Sequence, residues 1–118
     1  MKLLIAGSRS ITDFDLAPHI PAETSLIITG GATGVDMLAE QYADAHKLSK
    51  LVLRPDYRHY GRCAPLRRNR EMIEIADCIL IVWDTRSRGT AYTIKCANEL
   101  KKPLTVLEIC DKSESAVG

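Results

Sequence analysis

Leu26-Ile27-Ile28-Thr29-Gly30-Gly31-Ala32-Thr33-Gly34-Val35-Asp36 joins a continuously apolar run to a glycine-rich turn, and the turn to the start of a helical pattern. A half-exposed strand alternates apolar with polar residues. A run that stays apolar reads as a strand covered on both faces, the habit of parallel sheets flanked by helices. Beyond the turn, Val35, Leu38, Ala39, Tyr42 and Ala43 recur at intervals of three and four, with Glu40, Gln41 and Asp44 on the other side. That spacing predicts an amphipathic helix over residues 35–46.

Working outward, apolar runs at residues 3–6, 51–53, 78–83 and 104–109 repeat the strand signal, and all five runs read as buried strands. Ile79-Leu80-Ile81-Val82 is again continuous. Between them, helices are predicted over residues 65–76, with Leu66, Met72, Ile73 and Ala76 on the apolar side, and over 90–101, stopped by Lys101-Lys102-Pro103. Pro18 limits the segment 12–20 to a turn or two after an Asp13 cap. Strands alternating with helices imply right-handed crossovers. The expected fold is α/β: a three-layer, Rossmann-like, doubly wound parallel sheet of about five strands in the order 3-2-1-4-5, with ligands outside the strands' carboxyl ends. One domain is expected over residues 1–110, followed by a flexible tail, 111–118.

The chain has 118 residues, 46% of them hydrophobic and 26% charged, as in an ordinary globular protein. No apolar run reaches the roughly 20 residues of a membrane span. The N-terminus lacks the pattern of an export signal, so a cytoplasmic protein with no membrane role is expected. Four cysteines and three histidines are scattered without zinc-ligand spacing, and no metal is expected. Cys78 and Cys96 read as small buried hydrophobes. A net charge of +1 supplies no global field for polyanions, which argues against nucleic acid as a partner.

The chemistry is therefore local, and it gathers where strands end. The first strand runs into Gly7-Ser8-Arg9, the second into Gly30-Gly31-Ala32-Thr33-Gly34-Val35-Asp36, and the fourth into Asp84 and then Ser87-Arg88-Gly89-Thr90. Glycine lets the backbone approach a phosphate closely, and the free N–H groups of a following helix favour an anion. Arg9 adds charge; Ser8, Thr33, Ser87 and Thr90 add hydroxyls. The same glycines also serve a tight turn without any ligand, and Asp36 also suits the helix dipole. Residues 54–70 carry Arg54, Arg58, Arg62, Arg67, Arg68 and Arg70 against Asp56, interleaved with Tyr57, His59 and Tyr60. They suit phosphate binding and base stacking, or else a solvated face. Trp83 reads as core.

With these residues in view the sequence resembles the SLOG superfamily of Rossmann-like nucleotide-binding proteins, within it the DUF2493 or YspA/cpYpsA-related group. The likeness rests on Ile5-Ala6-Gly7-Ser8-Arg9, the block Gly30 to Asp36, Arg68-Asn69 with Met72, Ala76-Asp77, and Ser87-x-Gly89-Thr90. It implies a site formed by Gly7, Ser8, Arg9, Gly30, Gly31, Ala32, Thr33, Gly34, Asp36, Arg68, Asn69, Asp84, Ser87, Gly89 and Thr90. The implied ligand is a nucleotide or a derivative such as an NAD or ADP-ribose metabolite, with no required cofactor, in a homo-oligomer. More distant relatives are the cytokinin-activating phosphoribohydrolases and the DNA-processing protein DprA. By motif, the phosphoribohydrolases' catalytic arginine falls on Arg68 and their glutamate on Thr93. A threonine cannot stabilise an oxocarbenium-like state or activate water as a carboxylate does, which leaves Arg68, Asp36 and Asp84 as catalytic candidates. Binding or sensing of a nucleotide is the leading expectation. The alternatives are N-glycosidic hydrolysis and the single-stranded DNA binding of DprA.

Overall fold

The computed structural model of the protein describes residues 1–109; the expected tail lies outside the described residues. Five strands, β1 (Lys2–Gly7), β2 (Leu26–Thr29), β3 (Ser49–Val52), β4 (Cys78–Trp83) and β5 (Leu104–Glu108), pair in parallel in the order β3-β2-β1-β4-β5. β1 is central, with Leu4 opposite Ile28 on one side and Ile79 on the other. This is the doubly wound, Rossmann-like arrangement the apolar runs predict.

Successive strand residues point to opposite faces, and each face has its own core. Leu3, Ile5, Ile27, Leu80 and Val82 pack with Val35, Ala39 and Ala43 of α1 (Val35–Ala45). Leu4, Ala6, Ile28, Ile79 and Ile81 pack on the other face with Met72, Ile73, Cys96 and Ala97, from α3 (Ala64–Ile75) and α4 (Arg88–Glu99). Coverage on both sides is why β1, β2 and β4 are apolar without interruption. Each fully buried Leu or Ile contributes about 1.5–3 kcal/mol relative to exposure.

The edges depart from the sequence reading. β3 begins at Ser49, two residues before its apolar run, and Ser49, Lys50 and Leu51 are exposed, so it is an edge strand rather than a buried one. Only one side of it is paired, and Lys50 reaches Glu40 and Asp44 of α1 at 3.4 and 3.1 Å. β5, the other edge, is half covered. The segment 12–20 forms only a 3-10 turn, Ala17–His19, held by Asp15 and not Asp13: the Asp15 Oδ1 accepts the Ala17 N–H at 3.1 Å. Leu66, assigned to the apolar side of α3, is 39% exposed, because it lies in the first turn, beyond the sheet's rim. Trp83 is half-buried, and its Nε1–H donates to the Ser87 carbonyl at 3.1 Å, tying β4 to the start of α4. Cys96 is buried, whereas Cys78 is only partly so. A short helix, α2 (Tyr57–Tyr60), was not predicted; Asp56 caps it, accepting the His59 N–H at 3.3 Å.

Candidate functional site

A cleft of about 860 Å³ opens over the carboxyl ends of β1, β2 and β3 and between the first turns of α3 and α4. That volume is within the range of small-molecule sites, and the place is where a doubly wound sheet leaves a crevice. Of the residues marked from sequence, Gly7, Arg9, Gly30, Gly31, Ala32, Asp36, Arg68, Asn69, Ser87, Gly89 and Thr90 line it. Arg54, Pro55, Tyr57, Pro65, Leu66 and Arg88 line it as well.

The β2 turn is built from beneath. Gly34 has φ +74°, and a Cβ there would meet the carbonyl oxygens of Ser8 and Arg9 at 2.5 Å, both backbone atoms that cannot yield. Gly30 is equally enclosed: a Cβ would lie 2.6 Å from the Arg68 Nη1 and 2.9 Å from the Asp36 Oδ2. Asp36, 7% exposed, accepts the Ala32 N–H at 3.2 Å. Burial raises its pKa above the ordinary carboxylate value, against the pull of that hydrogen bond and of the Arg68 charge.

Arg68 reaches this turn from α3. Its Nη1 donates to the carbonyls of Gly30 at 2.7 Å and Leu53 at 3.2 Å, and its Nε to the Asn69 Oδ1 at 2.8 Å. Burial lowers its pKa, with Asp36 opposing. Arg54 holds the next carbonyl, Gly31, at 3.3 Å. Two arginines thus fasten consecutive peptide oxygens of the glycine turn. The neighbours of Arg68 turn elsewhere: Arg67 stacks on the Tyr60 ring at 4.4 Å, and Arg70 pairs with Glu74 at 3.2 Å.

The β4 turn is organised differently. Asp84 Oδ1 accepts the N–H groups of Arg86 and Ser87, each at 2.8 Å, and Oδ2 accepts the Ser10 and Ser87 hydroxyls at 2.9 and 3.0 Å. Partial burial works to raise its pKa, but these donors outweigh it and hold the carboxyl well below the usual range. Asp84 is thereby a turn staple, outside the residues that line the cleft. Ser8 also lies beneath: its hydroxyl accepts the Asp84 N–H at 2.9 Å and its carbonyl the Val35 N–H at 3.3 Å. Thr33 is exposed and, like Ser8 and Gly34, is not among the lining residues.

Ser87, the residue before α4, has turned its hydroxyl to Asp84 and does not cap the helix. The first helical bond runs from the Ala91 N–H to the Ser87 carbonyl. Among the described residues, the N–H groups of Arg88, Gly89 and Thr90 have no acceptor. Thr90 is 7% exposed and lines the cleft, and its hydroxyl also has no partner among them. Thr93, by contrast, donates its hydroxyl to the Gly89 carbonyl at 3.0 Å.

This cleft can be set beside known proteins. No family model matches the chain, and no curated protein matches it. Among solved structures it is similar to DNA processing protein A from Helicobacter pylori. The match covers 99% of this chain and 71% of that one, with a TM-score of 0.70 and 23% identity. The likeness establishes the Rossmann-like fold.

It also corrects one expectation. A near-neutral net charge was read as arguing against nucleic acid, yet the similar protein has a single-stranded DNA binding mode. Net charge averages over the whole surface, whereas six arginines here stand between residues 54 and 70, and two of them, Arg54 and Arg68, line the cleft. Among the described residues no three His, Cys, Asp or Glu side chains gather in a way that holds a metal ion, and no helix is long and apolar enough to cross a membrane.

Proposed function

We propose that the protein is a binding module of SLOG type that takes a nucleotide in the strand-end cleft, with the phosphate at the start of α4 and the sugar over the glycine turn. The observation that carries this reading is the open first turn of α4: Arg88, Gly89 and Thr90 line the cleft, and their three N–H groups and the Thr90 hydroxyl have no acceptor or partner among the described residues. Donors so arranged call for an anion with several oxygens, and the helix dipole adds to the attraction. Arg9, Arg88 and the unused Nη2 of Arg68 supply charge at the same cleft. Binding is the activity; turnover is not required. Thr93 stands where the phosphoribohydrolases carry a glutamate, and its hydroxyl is bound to the Gly89 carbonyl. Calorimetry with AMP, ADP-ribose and NAD, run beside chromatography for released base, tests both halves. Binding without multiple turnover is the expected result; turnover at about one per second or faster contradicts it.

A second reading, single-stranded DNA as the ligand, is favoured by the fold likeness together with the arginine- and tyrosine-rich segment 54–70, of which Arg54, Tyr57 and Arg68 line the cleft. Arginines that follow a backbone and rings that take bases are what single-strand binding requires. A fluorescent oligothymidylate titrated at several salt concentrations decides it. Affinity far above that for a mononucleotide, falling steeply with salt, assigns the cleft to a strand.

A further inference from the structure

We propose that the β3 end of the cleft is a nucleobase platform, with the base lying on the Tyr57 ring between Pro55 and Leu66. This rests on the nucleotide reading and gives the ligand a direction. Along the sheet, β3 and β4 are three strand spacings apart, roughly 14 Å. The open first turn of α4 is at the β4 end, so a nucleotide held there by its phosphate extends across β1 and β2 toward β3.

The two ends differ in chemistry as a nucleotide's two ends do. At the α4 end the cleft offers backbone N–H groups, the Thr90 hydroxyl and Arg88. At the β3 end it is lined by Pro55, Tyr57, Pro65 and Leu66, beside Arg54, whose Nη1 is held by the Gly31 carbonyl. Tyr57 and Leu66 are 62% and 39% exposed, although both are large and apolar. Tyr57 is the first residue of α2, directly after the Asp56 cap, and it lines the cleft. Its ring therefore stands at the cleft wall. Asn69 adds polarity of one sign: its Oδ1 is taken by Arg68, which leaves its amide N–H groups as donors in the cleft. An aromatic face beside aliphatic surface, with a donor at its margin, fits a flat heterocycle that carries acceptors.

Calorimetry with ribose 5-phosphate and with AMP, on the full chain and on Tyr57→Ala and Tyr57→Trp, tests the platform. Tyr57 is exposed, and thermal unfolding checks that each variant keeps its fold. AMP is expected to bind the natural chain about 5- to 150-fold more tightly than ribose 5-phosphate, the range that stacking of one base supplies. Tyr57→Ala should remove most of that ratio and Tyr57→Trp preserve it. Equal binding of the two compounds, or a ratio that survives Tyr57→Ala, overturns the platform and leaves the phosphate site standing. Equal weakening of both compounds in Tyr57→Ala also overturns it, since the tyrosine then acts on the ribose phosphate that the two compounds share and not on a base. If neither compound binds the natural chain, the nucleotide reading fails and the platform with it.

Discussion

The turn after β2 keeps its carboxylate, Asp36, buried under the loop, with arginines from outside fastening the loop's carbonyls. The turn after β4 keeps its carboxylate, Asp84, near the surface, where four donors close on it. Burial drives the first pKa up, and hydrogen bonds drive the second down. The contrast shows two ways to shape a ligand turn. In one, glycine geometry and a cationic clamp fix the backbone. In the other, a carboxylate diverts the capping hydroxyl and leaves the helix amides open to a ligand.

The β2 turn depends on shape, and its disruption should have the largest effect. Gly34→Ala brings a side chain onto two carbonyl oxygens at a positive φ. Strain and overpacking together predict a loss of roughly 3–5 kcal/mol, read from urea unfolding; a loss below about 1 kcal/mol would show that the turn relaxes easily.

The clamp comes next. Arg68→Ala should weaken binding of a phosphate-bearing nucleotide by roughly 10- to 150-fold, the worth of a charge-assisted contact. Arg67→Ala should leave it within about twofold, because that side chain lies on Tyr60 and away from the loop. Lysine at position 68 is not expected to rescue, since one ammonium cannot bond Gly30, Leu53 and Asn69 with a planar fork. Calorimetry on the three variants distinguishes a clamp from a general cation.

The β4 turn should be less costly to lose. Asp84→Ala removes the staple of α4, and a loss of about 1–2 kcal/mol is expected by analogy with helix caps. The pH dependence has a definite sign. A carboxyl whose folded pKa is depressed contributes stability that is full above its unfolded value, 3.8, and lost as pH falls through its lower folded value. Thermal unfolding should therefore show the natural chain and Asp84→Asn separated at neutral pH and converging only in acid.

Asp36 should behave in the opposite sense, with the smallest effect. Its folded pKa is raised, so the folded state takes up a proton before the unfolded chain does, and this group's share of stability grows as pH falls toward 3.8. Asp36→Asn keeps an acceptor for the Ala32 N–H and removes a buried charge. It should be no less stable than the natural chain at neutral pH, and the natural chain should gain on it in melting temperature as acid is approached. A neutral-pH loss comparable to that of Asp84→Ala would remove the contrast between the two turns.

Much of this was legible in the sequence, because strand burial and helix spacing are local patterns. The unbroken apolar runs of β1, β2 and β4 specify strands covered on both faces, and the alternation of strands with helices specifies crossovers of one hand. The edge strands were less legible: apolar content alone does not tell a strand that pairs on one side from one that pairs on both, and β3 starts on polar residues. The glycine turns were visible as turns, but their roles were not. Whether Ser87 caps α4 or serves Asp84, whether a carboxylate is buried like Asp36 or stapled like Asp84, and whether Arg68 or Arg67 meets the glycine loop depend on atoms 3 to 76 residues apart in the chain. Sequence periodicity sets which face of an element is apolar. Only the packed sheet brings the ends of β2, β3 and β4 together with the first turns of α3 and α4, and that meeting decides which donors are consumed within the fold and which remain for a ligand.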